Sequence, residues 1–322
     1  MLKTILPDKF IIALVGTVLL ATFLPAQGAG AVLVGWLANA AIVLLFFFVG
    51  AKLARSAIVE GLLHWRLHLV ILASTFVMFP LVALAIYRAF PHLFDDSIWL
   101  GLLFLAALPS TVQSSIALTS IARGNVAAAI AAASMSQLLG IFITPAILVL
   151  LAGVRGAEIS VAGVGQIVVQ IFVPFLVGHI CRPWIADWVA RHKSLIALTD
   201  RGTILIAIYS AFSAAVIEGI WHHIPMAELG RLTVACLVLL AIALGFTWLT
   251  ARAFKFNRED RIAILFCGTK KSLVQGVPMA KVLFAGSSLG LVLLPIMIFH
   301  QAQLMVCAYI ARHYGEDIDD VG

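Results

Sequence analysis

The sequence predicts an all-α polytopic membrane protein, with ten transmembrane helices arranged as two inverted five-helix repeats. Three observations predict it. Hydrophobic residues make up 63% of the 322 residues and the mean hydropathy is +1.11, far above the apolar share of a soluble domain, about 45–50%. The basic residues collect on alternate loops, as in a chain that crosses a membrane repeatedly. Two apolar segments at corresponding positions of the two halves are interrupted by polar residues, Gly and Pro, a pattern that marks the discontinuous helices of secondary transporters.

A span needs about 20 apolar residues. Runs punctuated by charge, Pro and Gly place helices near 10–25, 31–51, 66–88, 98–121, 126–152, 160–181, 200–221, 228–253, 259–284 and 288–312. The first run follows Lys3 and Lys9 and precedes Ala26-Gln27-Gly28-Ala29, which has the look of a cleaved leader. It is read as a span, because cleavage would leave an odd number and destroy the symmetry. Fifteen of the 21 Lys and Arg residues fall on the side that holds both termini, and only Arg88, Arg155 and Arg231 on the other. That bias predicts a multi-pass protein of the cell inner membrane with both termini cytoplasmic. The link Gly153-Val154-Arg155-Gly156 separates a first repeat, 1–153, from a second, 157–314, and an acidic tail at 315–322 follows. Five spans per half force the second half to be inverted.

The net charge of +6 belongs to these loops, so the expected partners are the lipid bilayer and a small solute, not nucleic acid; the sequence leaves oligomeric partners open. Cys181, Cys236, Cys267 and Cys307 sit singly in apolar runs without metal-ligand spacing. They read as small core residues, and no cofactor is expected.

The fourth segment carries Leu108-Pro109-Ser110-Thr111-Val112-Gln113-Ser114-Ser115. Pro109 offers no N–H to the carbonyl of Leu105, and Ser110, Thr111, Gln113, Ser114 and Ser115 bring hydrogen-bonding groups to core depth. Alone this describes an ordinary Pro-kinked helix. Its counterpart in the ninth segment, Cys267-Gly268-Thr269-Lys270-Lys271-Ser272-Leu273-Val274-Gln275-Gly276-Val277-Pro278, makes a pair. Lysine at the centre of a span costs roughly 2.5–3.5 kcal/mol unless it faces water, a partner or irregular backbone. The break is expected at Gly276 to Pro278, where Pro278 frees the carbonyl of Val274; the alternative is a cytoplasmic loop between two shorter helices. On a helix Lys271 shares a face with Gln275, while Lys270 diverges by about 100° and is expected to turn towards the fourth helix.

No Asp or Glu lies centrally in any predicted span; Glu218 sits near an outer end. Lysines without a carboxylate suit an anion, or a lysine that titrates once desolvated, better than a bare cation. The predicted solute or ion pathway therefore holds Ser110, Thr111, Gln113, Ser114, Ser115, Lys270, Lys271, Ser272 and Gln275, with Thr75, Gln137 and His300, a candidate proton relay. Asn39, Gln166, Gln170, Gln301 and Gln303 read as interhelical hydrogen bonds, and His179, beside Arg182 at the end of the sixth helix, as structural. Ser272 next to Lys271 has the composition of a Ser–Lys nucleophile pair, but neighbours on a helix diverge, so no enzyme is predicted.

At Ala122-Arg123-Gly124-Asn125-Val126, at Phe266 to Leu273 with Gly276-Val277-Pro278-Met279-Ala280, and at Phe299 to Ala308, the chain resembles the bile acid:sodium symporter superfamily. Within it the likeness is to the SBF-like subgroup of bacterial sodium-dependent-type transporters. The resemblance covers essentially the whole chain. It implies a panel of helices 1, 2, 6 and 7, a core of helices 3 to 5 and 8 to 10, helices 4 and 9 crossing, and substrate held between panel and core. The symporters proper hold sodium with an acidic residue on helix 9, hydroxyls on helices 4 and 5, and glutamines on helices 3 and 9. Aligned on the motifs, the acidic position is Lys270, the helix 5 positions are Ala129 and Ala133, and the glutamine positions are Thr75 and Val274. Only Ser114 and Ser115 remain, which argues against sodium coupling and suggests a Lys270 ammonium in the place of the ion. The expected function is secondary transport of a small organic anion by alternating access. The same subgroup contains the vertebrate negative regulator of intracellular calcium signalling, so a regulatory or accessory role without vectorial transport is the alternative.

Overall fold

The computed structural model describes residues 9–52, 64–154, 168–217, 219, 225–284 and 289–316. Lys3, Arg55, Arg155, Gln166, Glu218 and the tail from 317 lie outside the described residues. Among those described, all regular structure is helical. The helices are α1 (Lys9–Phe23), α2 (Gly28–Lys52), α3 (Trp65–Ala89), α4a (Asp96–Ala107), α4b (Val112–Ile121) and α5 (Val126–Val154). Then follow α6 (a π-turn Val168–Phe172 leading into Val173–Arg191), α7 (Lys193–Ile217), α8 (Met226–Ala253), α9a (Arg258–Gly268), α9b (Leu273–Leu283) and α10 (Leu289–Glu316).

Among the described residues seven of these are long and apolar enough to cross a membrane, or eight if α4a and α4b, bent by 58°, count as one. That is fewer than the ten expected. The apolar part of α1 is short, Ile12–Phe23, and α9a and α9b are 11 residues each. A second difference is at α6, which runs to Arg191 rather than ending near 181. Charged residues form helix as readily as apolar ones do, so hydropathy marks where lipid ends and not where the helix ends. His179 is therefore inside α6, its ring stacked on Phe175. Likewise Glu316, expected in the tail, is the last residue of α10.

The chain divides into two compact units. The first comprises Met1–Lys52, Ser160–Pro225 and Val277–Leu293. Here α2 lies along α6 at very short range, because Gly50 and Gly178 carry no side chain: a Cβ on Gly178 would overlap the Phe47 carbonyl, and one on Gly50 the Phe175 carbonyl. Small residues permit such backbone approach between membrane helices, and any larger residue at 178 would push α2 and α6 apart. Lys52 and Asp200 tie α2 to α7 through a 2.7 Å ion pair, and Lys281 donates to Ser210 at 3.1 Å.

The second unit comprises Leu53–Ile159, Met226–Gly276 and Leu294–Gly322. Its centre is α9a. Asn257 caps it by accepting from the Asp260 N–H at 2.8 Å, with Glu259 and Asp260 in its first turn, as the helix dipole favours. From Ile262 to Gly268 every residue is buried. One face packs on Leu67, Val70 and Ile71 of α3 and Ala128, Ala129 and Ala132 of α5, the other on Leu118 of α4b, Ala122 just after it, and Cys307 and Ala311 of α10. Arg123-Gly124-Asn125 fixes the turn from α4b to α5. Arg123 takes the left-handed conformation (φ +56°), the Gly124 N–H closes on the Thr119 carbonyl at 2.8 Å, and a side chain on Gly124 would overlap Ile262. Asn125 caps α5 through the Ala128 N–H and donates to Asp260 at 2.8 Å, so one loop anchors the starts of α5 and α9a.

Candidate functional site at two interrupted helices

All twelve predicted site residues lie in the second unit, and the structure gathers most of them around two breaks, Leu108 to Thr111 and Thr269 to Ser272. The first follows from Pro109. Proline disfavours helical backbone at the residue before it, and Leu108 is extended (φ −67°, ψ 150°), as is Thr111 (φ −81°, ψ 134°). Pro109 is seated against Gly140 of α5, where a Cβ would come within 2.6 Å of its ring. The carbonyl left open is not the one expected: Leu108 N–H takes Leu105 O at 3.2 Å, and the acceptors needing partners are those of Ala106, Ala107 and Leu108.

The second break is not at Gly276 to Pro278. Pro278 lies inside α9b, and the chain leaves helix earlier, at Thr269. Gly276 instead lets α9b approach the first break, since a Cβ there would lie 2.7 Å from Leu108 Cδ1. Ser272 starts α9b by accepting from Gln275 N–H at 3.3 Å, and its own N–H donates to Pro109 O at 2.9 Å, joining the two breaks.

Because 270–272 is not helical, the two lysines do not follow the 100° spacing of a helix, and Lys270, expected to turn towards the fourth helix, does not do so. Lys271, buried to 1% exposure, reaches the fourth helix. Its ammonium donates to Ala106 O at 2.7 Å, Leu108 O at 2.7 Å and Thr75 O at 2.8 Å, and the Phe79 ring centroid is 4.1 Å away. Lys270, fully buried, points to α10, where it donates to Gln303 O at 3.2 Å and lies beside the Cys307 thiol. Thr144 of α5 completes the first break by donating to Ala107 O at 2.8 Å.

Hydroxyls serve the carbonyls that end α9a. Ser74 donates to Gly268 O at 2.8 Å, Ser110 to Cys267 O at 2.6 Å and Ser115 to Phe266 O at 3.1 Å. Ser110 N–H donates to Ser136 Oγ at 3.0 Å. Ser114 donates to the Thr111 hydroxyl at 3.1 Å. Gln303 clamps the second break from α10: its Oε1 accepts from Lys271 N–H at 2.8 Å while its Nε2 donates to Lys271 O at 2.9 Å and approaches His300 Nδ1 at 3.0 Å. The backbone N–H fixes which end of the amide is oxygen, so Nε2 is the donor and His300 Nδ1 the acceptor.

Gln275 donates weakly to Gln137 O at 3.4 Å, and its buried Oε1 has no partner among the described residues. Gln113 stands apart, exposed on α4b. Thr75 contributes its backbone, not its side chain, which folds back on Ile71 O at 2.8 Å. Ser272, as the cap of α9b, is not presented with Lys271 as a nucleophile pair.

Sequence reasoning missed Ser74, Ser136, Thr144 and Phe79, and gave Gln303 only a generic role. Ser74 and Ser136 are immediate neighbours of Thr75 and Gln137, which it did select. A π-turn at Ser74–Met78, invisible in hydropathy, opens α3 and frees Thr75 O to face the lysine. At the positions the alignment gave to sodium ligands, Ser115 donates to Phe266 O and Ser114 to the Thr111 hydroxyl, while Ala129 and Ala133 are fully buried and carry no ligating side chain.

A profile of the SBF-like CPA transporter family matches residues 8–316. The chain is 50% identical over 314 residues to YfeH of Escherichia coli, named as a candidate symporter, covering 98% of this chain and 95% of that one. It is 30% identical over 276 residues to sodium/bile acid cotransporter 7 of Mus musculus, covering 83% of this chain and 79% of that one. With the protein of the same name from Danio rerio the identity is 30% over 306 residues, 91% of this chain and 90% of that one. By the profile match across nearly its whole length and by these relatives, the chain belongs to the SBF-like CPA transporter family.

Proposed function

We propose that the chain is a secondary transporter of a small organic anion, working by alternating access in the cell inner membrane without sodium coupling. The observation that carries the reading is the pair of buried ammonium groups at the two breaks, whose oxygen partners are all neutral. Lys271 has three such oxygens; Lys270 has one among the described residues, beside the Cys307 thiol, and that leaves a donor for an anionic group. The N-termini of α4b and α9b start at these same breaks and add the positive ends of two helix dipoles.

Ten spans in two inverted repeats remain part of the proposal. In its support, the breaks in α4 and α9 are equal in length and flanked by helices of similar length. The units group α1, α2, α6 and α7 apart from α3 to α5, α8 and α9a, which supports a panel and a core. Both termini are placed in the cytoplasm, and labelling from outside should modify Arg155→Cys and leave Ser194→Cys untouched; the reverse would overturn the orientation.

The test of function is a thermal-shift screen of anionic metabolites on the purified chain, followed by uptake of the hit into liposomes containing this protein alone. A charge-assisted bond contributes about 1.5–3 kcal/mol, so Lys270→Ala should weaken binding of the hit by roughly tenfold to a hundredfold. Unchanged affinity would remove Lys270 from the site. One observation favours a regulatory or accessory role instead: the carbonyls at both breaks are closed by the protein's own side chains, as in a fold that does not move. Binding of a hit with no flux in liposomes would select that reading.

A further inference from the structure

We propose that the carbonyl oxygens of Thr75, Ala106 and Leu108, with the ring of Phe79, form a monovalent-cation cage that Lys271 fills permanently with its own ammonium, so that the chain carries a tethered cation in place of a coupling ion. An ammonium has three N–H donors, and Lys271 directs them to three carbonyls at 2.7, 2.7 and 2.8 Å. The aromatic face at 4.1 Å covers a further side with the negative end of its quadrupole. Rings of backbone carbonyls are how proteins replace the hydration shell of a monovalent ion. These three come from irregular backbone at two places, the π-turn of α3 and the break after α4a, so they are free of the helical ladder and converge on one point. The head group is buried with the cage, at 1% exposure for the residue.

The same position is not available at Lys270, whose ammonium has a single carbonyl at 3.2 Å among the described residues. The cation site is thus assigned to Lys271, and the residue aligned with the symporters' acidic position is left for the solute. The consequence for ion coupling rests on the transport reading above; the cage itself does not.

The test separates the two. Lys271→Ala removes the atoms from Cγ to Nζ, which n-propylammonium reproduces. Thermal unfolding of the full-length protein in detergent, at constant ionic strength, is followed in n-propylammonium, in tetramethylammonium, which has no N–H donor, and in 1-propanol, which has no charge. The variant should unfold at a lower temperature than the parent, and n-propylammonium alone should raise its Tm by several degrees along a saturating curve. The parent should be indifferent to all three and to exchange of sodium for N-methyl-D-glucamine. A variant indifferent to n-propylammonium overturns the cage, as does equal recovery with tetramethylammonium or 1-propanol. A parent whose Tm rises saturably with sodium overturns the tethered-cation role, and this arm stands even where Lys271→Ala yields no folded protein. None of these readings depends on flux, so a chain that does not transport would sink the proposed function and leave this result intact.

Discussion

The two interrupted helices solve one problem in different ways. Each leaves three carbonyls without helical partners in a region where water is scarce, and an unpaired buried carbonyl costs about 1–3 kcal/mol. At the end of α9a the carbonyls of Phe266, Cys267 and Gly268 take one hydroxyl each, from Ser115, Ser110 and Ser74. At the end of α4a a single ammonium serves Ala106 and Leu108, and reaches Thr75 of α3 as well, leaving Ala107 to Thr144. The first closure is distributed and neutral, with one hydroxyl each from α3, α4b and the first break itself. The second is concentrated on one charge supplied by the opposite break, with a single hydroxyl from α5. Damage should therefore be graded at one break and abrupt at the other.

The largest effect is expected for Lys271→Met, which keeps the apolar stem and strips the donors from three carbonyls at once. Each carbonyl left bare costs about 1–3 kcal/mol, so with three exposed together unfolding in detergent should show a loss of about 3 kcal/mol or more. A loss below that of a single serine would break the comparison. Next is Gln303→Leu, which orphans both the N–H and the carbonyl of Lys271; about 2–4 kcal/mol is expected at about 1–3 for each group, partly relieved by relaxation. Because the clamp holds the backbone that aims Lys271, the double variant with Lys271→Met should lose less than the sum, and strict additivity would show that the clamp and the cage are independent.

Ser110→Ala should lose about 1–3 kcal/mol, the cost of one bare carbonyl, with Ser74→Ala and Ser115→Ala in the same range. The smallest effect belongs to Ser114→Ala. Its partner is the Thr111 hydroxyl, and Ser114 is only partly buried, so the change in Tm should correspond to within about 0.5 kcal/mol. If Ser114 proved as costly as Ser110, the distribution of the neutral closure would be misassigned.

The general outline of this arrangement was legible in the sequence because membrane burial leaves a strong trace. Sustained apolar runs located the helices, and Pro109 located the first break to the residue, since a missing N–H and a restricted preceding residue act locally. The second break was misplaced because a proline does not always end a helix: Pro278 is inside α9b, and the interruption falls before that helix begins, at Thr269 to Ser272. The direction of Lys270 was misread with it, because the 100° rule holds only on a helix. Thr75, chosen for its hydroxyl, matters through its carbonyl. Backbone acceptors carry no sequence signature, and the π-turn that exposes this one depends on tertiary packing. Gln303 was visible as a buried amide, but its role depends on a bidentate fit to backbone 32 positions away, which no local pattern records.

The most direct test of the account is solute uptake by proteoliposomes containing this chain alone, using the anion found by thermal shift, with sodium or N-methyl-D-glucamine outside at equal ionic strength and clamped membrane potential. The account predicts equal initial rates in the two media and a loss of uptake in Lys270→Ala. Uphill accumulation driven by an inward sodium gradient would contradict it, because the proposed cage gives the place of a coupling ion to the Lys271 ammonium.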